Sequence, residues 1–502
     1  MNGASIRIGL ALVVVALPGW AQIQNQPDDG QWVMAPKNYA STRYSTLSQI
    51  TTDNVRNLKV AFEFSTGTIH GNEAAPLVVN NTMYIVTPYP NDLYALDLTK
   101  PGAPMKWVYH SNPAPSSQGV ACCDTVNRGA AYYDGKIYYN LLDVQTVAVD
   151  ANTGKEVWKT KLGDINKGES MTMAPIVAKG KVLVGNSGGE FGVRGWFAGL
   201  DSDTGKIAWR AYGAGPDKDV LIGSNFKPFY KSDQGTDLGV KSWPPDAWKI
   251  GGAAAWGWTS YDPDLDLFYY GTSNPGPWNP EQRPGDNKWG CTLFARRPET
   301  GEAVWAYQMT PHDMHDYDGV NENILLDLTI GGRPRKLLAH PDRNGFLYLI
   351  DRQTGEVVSA EKFGFSNTLE SVDLKTGELK LNTAKQTGFR TVKDACPAPP
   401  GLKDWSPSAY SPKTGFIYLP HNNLCYETQG TKANYIAGTP YVGMKVRMYA
   451  GSGGNRGIFS AWDPIKAKMV WSIDEMFPSW AAPWSRREML SSTARWRAGS
   501  RA

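Results

Sequence analysis

One short pattern recurs along this chain and does more than any other feature to limit how it can fold. Ala148-Val-Asp150-Ala-Asn-Thr153-Gly154-Lys155-Glu-Val-Trp158 has a near copy in Gly199-Leu-Asp201-Ser-Asp-Thr204-Gly205-Lys206-Ile-Ala-Trp209. Further versions run from Ala295 to Trp305, from Leu349 to Ser359 without the tryptophan, and from Ala461 to Trp471, with a looser one from Ala95 to Trp107. Trp107, Trp158 and Trp209 stand 51 residues apart, and Trp305 follows 96 residues later.

Each unit has one physical plan. A strand ends at Ala-x-Asp, Thr-Gly makes a tight turn in which glycine supplies a positive φ, and the next strand ends in tryptophan. A single hairpin of this kind cannot bury its apolar face, whereas sheets stacked radially bury theirs against each other. A β-solenoid is the competing architecture, but its repeats are usually about half this length or shorter. An all-β propeller is therefore expected. The 52 glycines and 19 tryptophans fit many tight turns and large inter-sheet fillers. A net charge of +3 over 502 residues offers no reason to expect a nucleic-acid partner.

Residues 1–21 are read as a secretory signal peptide. Arg7 precedes an apolar run from Ile8 to Leu17, and Gly19-Trp20-Ala21 supplies small residues at a cleavage-compatible spacing. The run is too short to span a bilayer, and no later segment approaches that length. The mature protein is thus expected to be soluble and exported, to a compartment where disulfides persist. Its five cysteines suggest two disulfides and one spare thiol. Cys122 and Cys123 are adjacent, and a bond between neighbours closes a strained eight-membered ring. From the residues alone each could equally pair elsewhere or stay buried.

Ala-x-Asp-x-x-Thr-Gly-Lys-x-x-Trp resembles the tryptophan-docking motif of the eight-bladed quinoprotein alcohol dehydrogenases, which carry pyrroloquinoline quinone (PQQ) and a metal ion on the propeller axis. The likeness runs from about Gln31 to Trp480 and is strongest toward periplasmic methanol dehydrogenase large subunits. The resemblance implies a Cys122–Cys123 disulfide stacked on one face of PQQ, a Cys396–Cys425 disulfide, and Cys291 as the free thiol. It implies that Trp256, in Gly251-Gly-Ala-Ala-Ala-Trp256-Gly-Trp258, stacks on the opposite face. Arg128, Glu73, Thr172, Ser187, Gly188 and Gly189 match further cofactor-binding positions. Asp404 and Trp405 match positions at which the family varies.

Hard cations take oxygen ligands. Glu190 and Asn274 match the family's metal ligands, and Pro311-His-Asp-Met-His-Asp316-Tyr-Asp318-Gly-Val-Asn321 carries the rest. Read as a strand-like stretch, it would place Asp316 and Asp318 on one face. Calcium-dependent members resemble this segment but hold a small neutral residue at the place of Asp318, and lanthanide-using members hold the second aspartate. A trivalent ion gains more from an added carboxylate than a divalent one does, so a lanthanide is expected, with calcium as the alternative. His315 departs from the tryptophan usual there.

The resemblance further implies that Asp316 acts as general base on the alcohol hydroxyl while hydride passes to PQQ, with the ion as Lewis acid. Arg343 matches the arginine that hydrogen-bonds the quinone. The resemblance also implies that electrons pass to a periplasmic cytochrome c; the sequence has no Cys-x-x-Cys-His, so no haem is expected in the chain itself. Family members are often homodimers. The expected activity is oxidation of a small primary alcohol, methanol foremost. The alternatives are a calcium enzyme, an enzyme for longer alcohols, or a non-catalytic exported propeller.

Likeness to the family stops after Trp480. Residues 22–480 read as the propeller, lacking a last blade, and 481–502 as an aberrant tail with five arginines and no alternation. A shifted reading of the tail's codons can yield a turn, a β-branched strand, a second turn and another strand. A frameshift just after Trp480 is therefore expected.

Overall fold

The computed structural model describes residues 30–479, together with the backbone of Trp484–Arg486 and Ser491–Ser492. The proposed signal peptide and most of the tail lie outside the described residues.

The repeats become six four-stranded antiparallel sheets, each with its strands in chain order. Their first strands are Leu77–Val79, Ala130–Tyr133, Ile176–Ala178, Thr259–Asp262, Ile324–Ile330 and Ala409–Ser411. Through the first five sheets, each first strand touches the next sheet's first strand. Sheets that meet along their first strands fan out radially, which is the propeller arrangement. The six complete sheets among the described residues are two fewer than the eight implied above. A two-stranded sheet, Leu369–Val372 with Leu379–Leu381, lies between the fifth and sixth, and a three-stranded sheet takes Thr391–Ala395 from that connection and Leu424–Gly430 and Met444–Ala450 from an excursion between the second and third strands of the sixth.

The repeat motif has a legible geometry. In the five sheets that carry the motif tryptophan the residue directly opposite it is small: Ala95 faces Trp107, Ala148 faces Trp158, Gly199 faces Trp209, Ala295 faces Trp305 and Ala461 faces Trp471. A register shift follows at once, and the next turn is tied by its aspartate. Asp150 Oδ1 accepts from the Thr153 N–H and hydroxyl, both at 2.8 Å. Each indole then lies against the glycine of the next sheet's turn. A Cβ on Gly154 would stand 2.7 Å from Trp107, on Gly205 2.6 Å from Trp158, on Gly301 2.4 Å from Trp209, and on Gly355 2.9 Å from Trp305. These glycines are required twice over, for positive φ and for the absence of a side chain. Trp158, Trp209 and Trp305 also donate to the next sheet through Nε1, to Ser202, Pro298 and Arg352 carbonyls at 2.9–3.1 Å.

Among the described residues the series is open at both ends. Gly102, in the first sheet's turn, has no neighbour within 4 Å of its Cβ position. Trp471 is 37% exposed, against 0–9% for Trp158, Trp209 and Trp305. Around it Met469, Val470 and Ile473 are also exposed. Trp484–Arg486, read from sequence as part of a tail without strand character, pairs in parallel with Tyr44–Ser45 and antiparallel with Ser491–Ser492. That small sheet lies beside Ala409–Ser411.

Candidate active site

In an up-and-down sheet the start of the first strand and the end of the second lie at the same end. Every candidate residue sits in one of those two places. Glu73, Arg128, Thr172, Trp256, Asp316, Asp318, Asp404 and Trp405 precede first strands. Ser187, Gly188, Gly189, Glu190, Asn274 and Arg343 follow the second strands Lys181–Gly185, Leu267–Gly271 and Arg333–Pro341. Because first strands are innermost, residues scattered over 330 positions converge at one end of the propeller axis.

Trp256 forms the floor. The Arg128 guanidinium lies 4.7 Å from its ring centre and that of Arg343 5.3 Å. Arg128 also lies 5.4 Å from the Trp405 ring. Two cations beside one flat ring suit a planar anion. Arg128 donates to Thr172 Oγ1 at 2.7 Å, which is 3.0 Å from Ser187 Oγ, and pairs with Glu73 at 3.2 Å. Burial pushes the Glu73 carboxyl up to about 6 against the pull of Arg128. Gly188 is left-handed at φ +117°, and a Cβ there would stand 2.3 Å from the Gly168 carbonyl. Arg343 joins the two halves of the site, reaching Asp404 Oδ1 at 2.8 Å, Asp316 Oδ2 at 3.3 Å and Asp318 Oδ2 at 3.5 Å.

The Asp316 segment is not a strand. It is an irregular loop in which Asp316 adopts φ +67°, so the convergence of the two carboxylates owes nothing to strand alternation. The Asn274 N–H donates to Asp318 Oδ1 at 2.5 Å, and the Trp256 indole donates to Asp318 Oδ2 at 2.9 Å. Burial, Asp318 and Glu190 push the Asp316 carboxyl well above the usual range, with Arg343 opposing them. Burial and Glu190 raise Asp318 to about 7, again against Arg343. Three carboxylates thus feel one another in a buried place, which favours a cation. Asn274 Oδ1 and Asp316 Oδ1 are buried oxygens without a hydrogen-bond partner among the described residues. No three His, Cys, Asp or Glu side chains there close into a finished cage; Arg343 stands between the carboxylates, supplying positive charge. The donor set of three carboxylates and one amide oxygen fits a hard cation.

The cysteines divide. Cys396 and Cys425 are bridged, S–S 2.05 Å, and Cys291 is a buried thiol, as the resemblance implies. The Cys122 and Cys123 sulfurs are 2.7 Å apart and are not bridged in this structure. Hydrogen bonding to Cys123 and burial push the Cys122 thiol up, with smaller contributions from Glu190 and Asp316.

The glucose/ethanol/alcohol dehydrogenase β-propeller family of PQQ proteins matches residues 32–361. The chain belongs to this family. It is 53% identical over 470 residues to the lanthanide-dependent methanol dehydrogenase of Methylacidiphilum fumariolicum, covering 92% of this chain and 76% of that one. It is 43% identical to methanol dehydrogenase [cytochrome c] subunit 1 of Methylorubrum extorquens, covering 94% and 78%. A europium-containing methanol dehydrogenase superposes with a TM-score of 0.92 at 50% identity, covering 94% of this chain and 82% of that one.

Residues that the sequence did not single out complete the site. Asp313 and Arg283 are buried beneath the Asp316 loop, and Glu322 and Lys403 form a buried pair at 2.8 Å behind Asp404. His315, in place of tryptophan, lies 2.5 Å through Nδ1 from the Tyr426 hydroxyl and stacks on Tyr317. Asp313 lay within a motif already quoted; Arg283 carries no sequence signal.

Proposed function

We propose that this chain oxidises a small primary alcohol, methanol foremost, to the aldehyde, using PQQ and a lanthanide ion. The observation that carries the reading is the meeting of Glu190, Asn274, Asp316 and Asp318 beside the Trp256 floor. Arg128, Thr172, Ser187, Glu73 and Arg343 would hold PQQ, with the Cys122–Cys123 pair on its other face; the four oxygen donors would hold the ion. When bound, PQQ supplies a two-electron acceptor and the ion a Lewis acid.

The chain's own groups do the rest. Asp316 offers a partner-free Oδ1 to the alcohol's hydroxyl proton, as a general base must. Asp404, Asp318 and Asp316 keep Arg343 charged against the effect of burial, so it presents a fixed cation to an anionic or electron-rich neighbour. Trp256 excludes water from one face. The third carboxylate, Asp318, favours a trivalent ion over calcium. Electrons would leave to a cytochrome c, the acceptor for which the Methylorubrum relative is named. The leader-like N-terminus supports a periplasmic location, and no helix among the described residues is long and apolar enough to cross a membrane.

The test is reconstitution of metal-free protein with PQQ plus lanthanum, cerium or calcium, followed by dye-linked methanol oxidation. Activity with either lanthanide and little with calcium is expected. Equal activity with calcium would remove the lanthanide assignment, and no alcohol oxidation with any ion would remove the enzymatic one.

A further inference from the structure

Asp316 holds a left-handed backbone, φ +67°, that residues other than glycine seldom adopt. The restraint comes from Asp313, three residues upstream and 1% exposed. Its Oδ2 accepts the Asp316 N–H at 2.9 Å, and its Oδ1 accepts the N–H groups of His315 and Tyr317, both at 3.2 Å. One carboxylate therefore gathers three successive backbone donors and fixes the direction in which the Asp316 side chain leaves the loop.

Arg283, fully buried, extends this restraint to the other side of the site. It donates to the Pro277 carbonyl at 2.6 Å through Nε, to Asn287 Oδ1 at 2.8 Å through Nη1, and to the Asp313 carbonyl through Nη2. Pro277 lies three residues after Asn274. A single planar guanidinium thus spans the loop that carries Asn274 and the loop that carries Asp316 and Asp318. The Asn274 N–H bond to Asp318 closes the circuit.

We infer that Arg283 and Asp313 form a positioning pair that sets the spacing of Asn274 from Asp316 and Asp318, and through it the affinity of the site for its cation. The pair acts through the ligand loops rather than on the ion. The inference rests on the proposed reading of those residues as metal ligands. Lysine cannot replace Arg283, because an ammonium lacks the rigid fork that reaches three acceptors at once. Asparagine cannot replace Asp313, because its amide nitrogen would turn a donor toward backbone N–H groups.

The experiment titrates the metal-free full chain with terbium and reads luminescence sensitised by tryptophan, in parallel with thermal unfolding. Asp313→Asn and Arg283→Lys should each weaken terbium binding roughly 10- to 100-fold, the size usual for partners of metal ligands. The double variant should be no weaker than the weaker single, as for a unit. The control is Arg352→Lys, which disturbs a fully buried ion pair with Asp262 between sheets. It should lower the unfolding temperature without changing terbium affinity. If Asp313→Asn fails to fold, Arg283→Lys reads the same quantity. Wild-type affinity in both folded variants would overturn the inference, as would an equal loss in Arg352→Lys. If the wild-type chain takes up no terbium, the ligand assignment fails and the positioning inference falls with it.

Discussion

The indole N–H of Trp256 donates to Oδ2 of Asp318 at 2.9 Å while its ring lies beneath the guanidinium groups of Arg128 and Arg343. The proposed cofactor floor and the proposed metal site therefore share one side chain. Trp256→Phe keeps the flat face and removes the bond, leaving a buried carboxylate oxygen short of a donor. PQQ retention, read by absorbance after gel filtration, should survive, while kcat falls by about tenfold or more, the effect of about 1.4 kcal/mol. Trp256→Ala should lose PQQ as well.

Asp318→Ala removes one carboxylate from a crowded buried set. Activation by lanthanum or cerium should fall at least about a hundredfold, because a trivalent ion loses a full charge partner. Calcium should be affected less, so the ratio of lanthanide- to calcium-supported activity should drop. A ratio that stays constant would show that Asp318 does not choose the ion.

The tryptophan–glycine contacts predict unequal costs for equal substitutions. Gly205→Ala adds a methyl 2.6 Å from Trp158 at φ +69°, and should cost about 2–4 kcal/mol by denaturant unfolding. Gly415→Ala, at φ +71° with nothing within 4 Å, should cost about 1–2 kcal/mol. Trp209→Ala should cost about 3–5 kcal/mol and the exposed Trp471→Ala less than about 1 kcal/mol.

Glu73 titrates at about 6 when folded, above its ordinary 4.5. A carboxyl raised on folding stabilises the protein below its unfolded value, and that contribution is lost as pH rises through the folded one. The cofactor-free chain should therefore lose about 1.3 kcal/mol between pH 4.5 and 6 from this group, out of about 2 kcal/mol over the whole titration. Glu73→Gln should flatten that portion of the stability profile, measured as unfolding temperature against pH.

The architecture was legible because its determinants are local. Ala-x-Asp-x-x-Thr-Gly encodes a small residue facing an indole, an aspartate tying a turn and a glycine under the next indole, all within a dozen positions. A further copy of the turn, Asp373 to Gly377, escaped notice because its partner is Tyr230 rather than a tryptophan. The site was legible only through family likeness: Glu190, Asn274 and Asp318 belong to three segments that meet through ring geometry, which no spacing reveals. Strand alternation was the wrong reason for the convergence of Asp316 and Asp318, since buried Asp313 imposes a left-handed turn.

The placement of every functional group at the inner start or end of a strand has a mechanical meaning as well. Five of the sheets reach the axis with an arginine, a carboxylate, an amide or an indole that touches its neighbours' contributions. Whatever binds there is the keystone of an arch: no sheet can splay outward without first releasing its grip on the occupant. Loading the centre should therefore stiffen the rim, so that ligand and ring hold each other in place.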